Sequence, residues 1–236
     1  MKLVICEDYE AMSKEAGALF LDRIRKKPDL RLGLATGSTP EGLYRVLVAA
    51  YQAGELDFSR VVSYNLDEYL GIDRAHPQSY HYFMKDHLFS AVNIPLEQTH
   101  FPDEEEEPGA YDARIEADGG LDLQVLGIGQ NGHIAFNEPA PALSVPTARV
   151  DLSESTIAAN ARFFDRPEDV PRHAISMGMG TILKARELVI LANGPAKREA
   201  VAKLLAGDQV TTQWPVTLCL LHPNCTLFVD QEAAGR

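Results

Sequence analysis

Histidine, asparagine and glutamate occur close together in a glycine-rich segment near the middle of the chain. In the segment 127–139 (GIGQNGHIAFNEP), His133 stands two residues after Asn131 and five before Glu138. A histidine titrates near neutral pH and can pass a proton either way, but it needs a partner to fix its tautomer. Glu138 is a candidate for that partner, so the segment predicts a site of proton transfer. A histidine with a purely structural role is the alternative.

Two adjacent acidic residues offer a candidate base. Asp67 and Glu68 lie in the segment 64–69 (YNLDEY), directly after residues that predict a strand. Adjacent side chains of an extended segment face opposite ways, so at most one of the two points at a given substrate atom. A carboxylate there could act as a general base, and the other acid would then be structural. An acidic loop that caps the next turn is the alternative.

A turn rich in glycine, serine and threonine is typical of an anion site. The segment 35–42 (ATGSTPEG) follows a predicted strand and precedes a predicted helix. Such a turn presents backbone N–H groups and hydroxyls to phosphate oxygens at the N-terminus of a helix. Pro40 suits the first helical position, and Ser38 or Thr39 can cap the helix. A capped helix without a ligand explains the turn equally well.

Two basic residues late in the chain could supply positive charge to a phosphate. Arg162 lies in the segment 160–164 (NARFF), and Lys197 follows Gly194, where we expect it to open a helix after a strand. A lysine near the N-terminus of a helix is well placed to contact phosphate. Either residue could instead be an ordinary surface cation. The histidines show no spacing typical of a zinc site, so we expect no metal.

Short apolar runs alternate with helical patterns along the chain, which predicts a mostly parallel sheet covered by helices. Strands are expected over residues 3–6, 32–35, 61–66, 121–128, 187–192 and 226–229. Met12, Ala16, Leu19, Phe20 and Ile24 predict the buried face of a first helix. Another helix is expected over 197–205, with Ala200, Val201, Leu204 and Leu205 facing inward. We expect one domain over 1–236, with a mobile flap over about 153–172.

Composition and charge narrow the class of partner. The chain carries 34 acidic and 22 basic residues, a net charge of −12, which disfavours nucleic acid and anionic membranes as partners. No apolar stretch approaches the length of about 18 residues that spans a bilayer. The three cysteines form no pairing pattern, which favours buried thiols and a reducing, cytoplasmic location.

Taken together, these segments resemble the glucosamine-6-phosphate deaminase family. The matching stretches, in the family's order over nearly the whole chain, are 32–44 (LGLATGSTPEGLY), 61–71 (VVSYNLDEYLG), 76–80 (HPQSY), 127–139 (GIGQNGHIAFNEP), 160–164 (NARFF), 176–181 and the region of Lys197. The strings GHIAFNEP and NLDEY are the most specific. The resemblance implies a modified Rossmann-like, doubly wound α/β sheet with helices on both faces. It implies a small-molecule sugar-phosphate substrate, no cofactor and no metal.

The resemblance also implies a role for each candidate residue. Asp67 would move a proton between C2 and C1 of the opened sugar, and His133 would open the pyranose ring, oriented by Glu138 and Asn131. The phosphate would be held by Thr36, Gly37, Ser38, Thr39, Arg162 and Lys197. The implied reaction converts D-glucosamine 6-phosphate and water to D-fructose 6-phosphate and ammonia, in amino sugar catabolism.

The sequence departs from the family's longer members in two respects. Asn131 replaces an aspartate, so we expect ring opening to depend more strongly on Glu138. Ala148 and Val150 stand where cations of an effector site are expected, which argues against activation by N-acetylglucosamine 6-phosphate. A deaminase for the galactosamine epimer, a 6-phosphogluconolactonase-like hydrolase and a non-catalytic sugar-phosphate sensor remain alternatives. A monomer and a small homo-oligomer are equally compatible with the sequence.

Overall fold

A computed structural model of the chain describes residues 1–107, 109–161, 164, 166 and 169–236. The strands are β1 (Lys2–Cys6), β2 (Arg31–Leu34), β3 (Val62–Asn65), β4 (Asp67–Tyr69), β5 (Thr99–His100), β6 (Leu123–Gly127), β7 (Ala148–Asp151), β8 (His173–Ser176), β9 (Leu188–Ala192) and β10 (Cys225–Asp230). The helices are α1 (Tyr9–Lys26), α2 (Ser38–Gln52), α3 (Tyr80–His87), α4 (Ala110–Ala117), α5 (Glu154–Asn160), α6 (Met179–Leu183) and α7 (Arg198–Ala206). None of the described helices is long and apolar enough to cross a membrane.

A parallel sheet forms the centre of the molecule. Within the described part of the chain it has seven strands in the order β1-β10-β9-β6-β2-β3-β5, and every neighbouring pair is parallel. From β2 the chain winds outward through β3 to β5, and from β6 it winds the other way through β9 to β10. Right-handed crossovers in opposite directions place helices on both faces of such a sheet. The predicted doubly wound α/β fold is therefore confirmed.

The point where the winding reverses lies between β2 and β6. Loops diverge there at the carboxyl ends of the strands, and open α/β sheets bind ligands in the crevice this leaves. The loops that follow β2, β3, β6 and β9 all leave from this edge. The chain that follows these strands carries the anion turn (35–42), Asp67 and Glu68 at the start of β4, the histidine segment (127–139) and Lys197, in that order.

The core explains why these segments fold as they do. The central strands β6, β9 and β10 are rich in apolar residues and are almost completely buried, as expected for parallel strands covered on both faces. Helix α1 buries Met12, Ala16, Phe20 and Ile24 at helical spacing, as predicted, whereas Leu19 is only half-buried against the core. Asp8 caps this helix by accepting a hydrogen bond of 2.8 Å from the backbone N–H of Ala11.

A second, smaller sheet was not predicted from the sequence. It is antiparallel, with the order β4-β8-β7, and Asp67 pairs with Ser176 in it. The strand expected over 61–66 therefore ends at Asn65, and the next residues leave the main sheet to join the small one. A three-residue strand has too short a pattern to be separated from its neighbour by periodicity.

The helix expected over 197–205 differs from the prediction at both ends. Lys197 ends a short 3₁₀ turn, Pro195–Lys197, and the α-helix begins at Arg198. Ala200, Val201 and Leu204 are buried as expected, whereas Leu205 is 38% exposed. Leu205 lies about 100° further round the helix than the buried Leu204 and therefore faces away from the core; the helix reaches its C-cap at Gly207.

Candidate active site

The anion turn after β2 leaves backbone donors free at the start of a long helix. Gly37 is the N-cap of α2 with φ of 96°, and no side chain among the described residues caps this helix. The N–H groups at Ser38 and Thr39 thus face the carboxyl edge of the sheet without an intrahelical partner. Together with the helix dipole they form a site suited to an anion.

Two expectations for this turn were wrong. Pro40 is the third residue of α2, since the helix begins at Ser38. The hydroxyl of Thr39 does not cap the helix but donates a hydrogen bond of 2.8 Å to Asn193 Oδ1 in the loop after β9. The Tyr9 hydroxyl donates to the carbonyl of Ser38 at 2.8 Å and supports the turn from α1.

Lys197 adds positive charge beside this turn. Its side chain is half-buried, burial lowers its pKa, and no described residue forms an ion pair with it. The Lys197 ammonium also lowers the pKa of His133, so the two side chains lie within electrostatic reach of each other. The positive charge of a half-buried cation without a counter-ion favours an anionic ligand, which balances that charge. Arg162, the other predicted phosphate contact, lies outside the described residues.

The carboxyl group of Asp67 is buried without a hydrogen bond to any described residue. Only 6% of Asp67 is exposed. Burial raises its pKa to about 8, with a further contribution from the neighbouring Glu68 charge. A carboxyl group with a pKa near neutrality can both take and return a proton, which is the requirement for a base in an isomerisation.

Glu68 is the structural member of the pair of acids. Adjacent side chains of a strand face opposite ways, and this predicted one structural acid. Its carboxylate accepts hydrogen bonds from the backbone N–H groups of Tyr69, Tyr80 and His81 at 2.9–3.0 Å. It also contacts His81 Nδ1 at 2.8 Å. Glu68 is thereby fixed against the first turn of α3, and its charge acts on Asp67 only through space.

Asn131 lies between His133 and Glu138. Its Oδ1 is 2.7 Å from His133 Nδ1, while its Nδ2 donates to Glu138 Oε2 at 2.8 Å. Glu138 itself is 3.9 Å from His133 Nδ1. The direct partner of His133 is therefore Asn131, whereas Glu138, the candidate partner, lies beyond hydrogen-bond distance of the ring. Glu138 acts on the ring through the amide and through its charge.

This arrangement fixes the tautomer of His133. The Asn131 amide must donate to the Glu138 carboxylate, so its oxygen faces Nδ1, which then carries the hydrogen. Nε2 keeps its lone pair, and no described residue bonds it. Burial and the Lys197 charge lower the pKa of His133, while Glu138 raises it. A neutral ring with one free nitrogen can accept a proton from a substrate hydroxyl.

The glycines of the histidine segment make room for the ring. A Cβ at Gly129 would lie 2.1 Å from the imidazole of His133, and a Cβ at Gly132 would lie 2.7 Å from Trp214. Gly132 also has φ of 79°. Both positions therefore require glycine. Gly129 leaves room for the imidazole, and Gly132 leaves room for Trp214 and also adopts a left-handed conformation.

The histidine segment is tied to the strand of the base. The buried Asn137 donates from Nδ2 to the carbonyls of Ile134 at 3.0 Å and Met177 at 2.8 Å. Met177 follows the strand β8 that pairs with Asp67. The turn that Asn137 closes includes Ala135 with φ of 52°, a left-handed conformation that is unfavourable for alanine.

Sequence reasoning missed the residues that connect the loops. These include Asn193, which bonds Thr39, and Asp230, whose carboxylate accepts from the backbone N–H of Gly194 at 2.8 Å. Asn137 lies within the histidine segment but received no role. Only the position of Asp230 at the end of a predicted strand could have drawn attention to it. Among the described residues, no three His, Cys, Asp or Glu side chains are grouped so as to hold a metal ion.

The fold and the site define an α/β protein with a turn suited to an anion, a buried carboxyl group and a histidine at the carboxyl edge of its sheet. Comparison with known proteins agrees. A family model described as glucosamine-6-phosphate isomerases/6-phosphogluconolactonase matches residues 7–228. The chain belongs to this family.

Individual relatives cover the whole chain. A glucosamine-6-phosphate deaminase of Halothermothrix orenii is 51% identical over 240 residues, 100% of this chain and 99% of the relative. One of Thermoanaerobacter pseudethanolicus is 50% identical, over 100% of this chain and 94% of the relative. The solved structure of a monomeric glucosamine-6-phosphate deaminase is 39% identical, with a TM-score of 0.95 over 100% of this chain and 99% of that one.

Proposed function

We propose that this protein is a glucosamine-6-phosphate deaminase, which converts D-glucosamine 6-phosphate and water to D-fructose 6-phosphate and ammonia. One observation carries the proposal: the buried Asp67 carboxyl, free of hydrogen bonds from the described residues, lies on the same sheet edge as an anion turn and a tautomer-fixed His133. The family and the deaminases that resemble the chain over its full length support it.

The proposed reaction begins with binding of the phosphate. Backbone N–H groups of the turn at Thr36, Gly37, Ser38 and Thr39 would hold its oxygens, and Lys197 would supply the positive charge; Arg162 stays a predicted contact. The phosphate lies at the end of the sugar remote from C1 and C2. Its binding energy can therefore orient the reacting carbons without entering the chemistry.

Ring opening would then fall to His133. Its Nε2 takes the proton of the C1 hydroxyl and returns a proton to the ring oxygen, giving the open-chain aldehyde. The imidazolium formed in between is stabilised by the Glu138 charge, which acts through Asn131 and through space. The ring stays in place because Asn131 holds Nδ1 throughout.

Asp67 would carry the isomerisation. Its carboxylate removes the proton from C2 and delivers it to C1, while the C2 amino group loses a proton and the C1 oxygen gains one, so C1 is reduced to an alcohol and C2 becomes an imine. Water adds to C2, ammonia leaves, and D-fructose 6-phosphate remains. A pKa of about 8 makes the carboxyl group a stronger base than an exposed aspartate.

The alternatives make different demands on the site. Hydrolysis of 6-phosphogluconolactone moves no carbon-bound proton and gives Asp67 no such role. A sensor needs the anion turn but neither the base nor the fixed histidine. The galactosamine epimer differs only at C4, so the experiment below includes it.

The test incubates purified protein with D-glucosamine 6-phosphate and follows ammonia and D-fructose 6-phosphate together. We expect equal release of both products, and a loss of about 1,000-fold in Asp67→Asn. Asp57→Asn, which removes an exposed aspartate, serves as the control and should retain activity. Turnover only with D-galactosamine 6-phosphate, or only with 6-phosphogluconolactone, would replace the proposal with the corresponding alternative. Binding without turnover of any of the three would favour the sensor.

We also propose that the protein acts as a monomer in the cytoplasm and needs no activator. The similar deaminase of known structure is monomeric. The three cysteines are all buried and free, and thiols persist in reducing compartments. Light scattering of the purified protein tests the first statement, cell fractionation the second, and a substrate titration with N-acetylglucosamine 6-phosphate the third.

A further inference from the structure

The second oxygen of the Glu138 carboxylate has a partner outside the histidine segment. Oε2 accepts from Asn131, and Oε1 accepts a hydrogen bond from the hydroxyl of Thr156. The Glu138 side chain is only 16% exposed, so little water is available to replace either donor. Thr156 and Asn131 together therefore determine where the carboxylate lies.

Thr156 is itself held by the start of α5. Ser153, the N-cap of this helix, accepts from the Thr156 backbone N–H at 3.2 Å. Its hydroxyl also donates to the Thr156 hydroxyl oxygen at 3.1 Å, which turns the Thr156 hydrogen towards Glu138. The next residue, Ile157, is buried in an apolar cluster with Tyr69 and Phe136. Packing of α5 thus sets the position of the hydroxyl.

The hydrogen bonds of this group of side chains converge on the Glu138 carboxylate from two sides. Thr156 donates to Glu138, Asn131 donates to Glu138, and His133 donates to Asn131. Without the Thr156 hydroxyl, the carboxylate loses one of two fixed contacts and can turn away from Asn131. The Asn131 amide then loses the interaction that keeps its oxygen on Nδ1 of the ring.

We propose that Thr156 is a positioning residue for the reaction: it fixes the Glu138 carboxylate and, through Glu138 and Asn131, the ring of His133. The inference rests on the deaminase function proposed above. Among the described residues, the charged groups that act on the ring are Glu138 and Lys197. Only the effect of Glu138 passes through Thr156. The first turn of α5 is therefore part of the proton-transfer apparatus, although it contacts no reacting atom.

The experiment compares three variants. Thr156→Val removes the hydroxyl and keeps the branched shape, Thr156→Ser keeps the hydroxyl, and Thr147→Val removes an equivalent bond elsewhere. Thr147 donates to the Asp112 carboxylate at 2.7 Å, outside the site. Turnover of D-glucosamine 6-phosphate is measured together with the titration of the His133 ring by proton NMR. The ring signal is assigned among the seven histidines by its loss in His133→Gln.

We expect Thr156→Val to lower kcat about tenfold with a smaller change in KM, since a hydrogen bond to a charged group is lost. The His133 titration should move to lower pH, because the carboxylate that stabilises the imidazolium is no longer held near it. Thr156→Ser should behave as the parent protein, and Thr147→Val should alter neither readout. Thr156→Ala serves as the second hydroxyl-free variant if valine disturbs α5.

An unchanged kcat and titration in the hydroxyl-free variants would overturn the proposal. So would the same shift in Thr147→Val, which would indicate a general loss of stability. The NMR titration needs no substrate, so it decides the role of Thr156 even if the parent protein fails to deaminate D-glucosamine 6-phosphate. That failure would contradict the proposed function alone.

Discussion

The hydroxyl of Thr39 donates a hydrogen bond of 2.8 Å to Oδ1 of Asn193, and this bond joins the two loops of the anion site. Thr39 follows β2 and Asn193 follows β9, and β6 lies between these strands. The bond therefore spans the loop that carries His133. Because the Thr39 hydroxyl is engaged in this bond, Thr39 can donate to an anion only through its backbone N–H.

Thr39→Val should weaken phosphate binding more than chemistry. The variant keeps the backbone donors but frees the loop of Lys197 from the turn of α2. We expect KM for D-glucosamine 6-phosphate to rise about fivefold, with kcat changed less than about twofold, as measured by steady-state kinetics. Thr99→Val is the control, since its hydroxyl donates to the Leu96 carbonyl at 2.7 Å in an exposed turn. An equal change in both variants would refute the coupling.

Asp67→Asn should stabilise the protein increasingly as the pH rises. The folded pKa of about 8 lies above the ordinary aspartate value of 3.8, so the native state binds more protons than the unfolded state between these values. Stability from this group is fully present below about pH 4 and is lost as the pH rises towards 8. Asparagine cannot ionise and avoids that loss. Thermal unfolding at pH 5, 6, 7 and 8 should show a gain in Tm that grows with pH.

Asp57→Asn provides the matched control for this pH dependence. The pKa of the exposed Asp57 is lowered, chiefly by a hydrogen bond from the Ser59 backbone and also by Asn93. Its contribution is present above its unfolded pKa and lost only as the pH falls through the lower folded value. The Tm difference in this variant should therefore stay constant from pH 5 to 8. A constant difference for Asp67→Asn as well would mean that Asp67 is ionised normally.

The sequence was sufficient for six of the seven strands of the main sheet and for the common edge of the candidate residues, because both depend on local signals; the two-residue strand β5 was missed. Buried parallel strands are apolar runs, and the polar residues at their carboxyl ends meet at one edge whatever the details. The small sheet escaped prediction because β4 has three residues and pairs with a strand more than a hundred residues later. The direct partner of His133 also escaped, since spacing could not decide between Asn131 and Glu138. Only the three-dimensional path of the segment makes the amide the intermediary.

Glu138→Gln should lower turnover by about 10- to 100-fold. Both carboxylate oxygens accept hydrogen bonds, and an amide would direct N–H groups at one of the two donors, Asn131 or Thr156. The charge that raises the pKa of His133 also disappears. The acid limb of the pH profile of kcat/KM should therefore move to lower pH.

Glu187→Gln is the control for that variant. The buried Glu187 accepts two hydrogen bonds from Arg23, at 2.6 and 3.0 Å, near the amino end of β9 and away from the site. It should lower Tm without moving the pH profile. Parent-like turnover in Glu138→Gln would show that Asn131 orients the histidine unaided.

Ala135→Gly should leave the free energy of unfolding unchanged or raise it by up to about 1 kcal/mol. Ala135 has φ of 52°, where the alanine Cβ costs about 1–2 kcal/mol that glycine avoids. The greater freedom of glycine in the unfolded chain offsets part of this gain. Ala113→Gly, in the exposed middle of α4, should instead lower the free energy of unfolding by about 1 kcal/mol. Urea unfolding of both variants makes the comparison, and an equal loss in both would show that the left-handed turn stores no strain.

Because Asn137 closes this turn through the Ile134 carbonyl, the histidine segment should keep its shape and Ala135→Gly should retain its turnover.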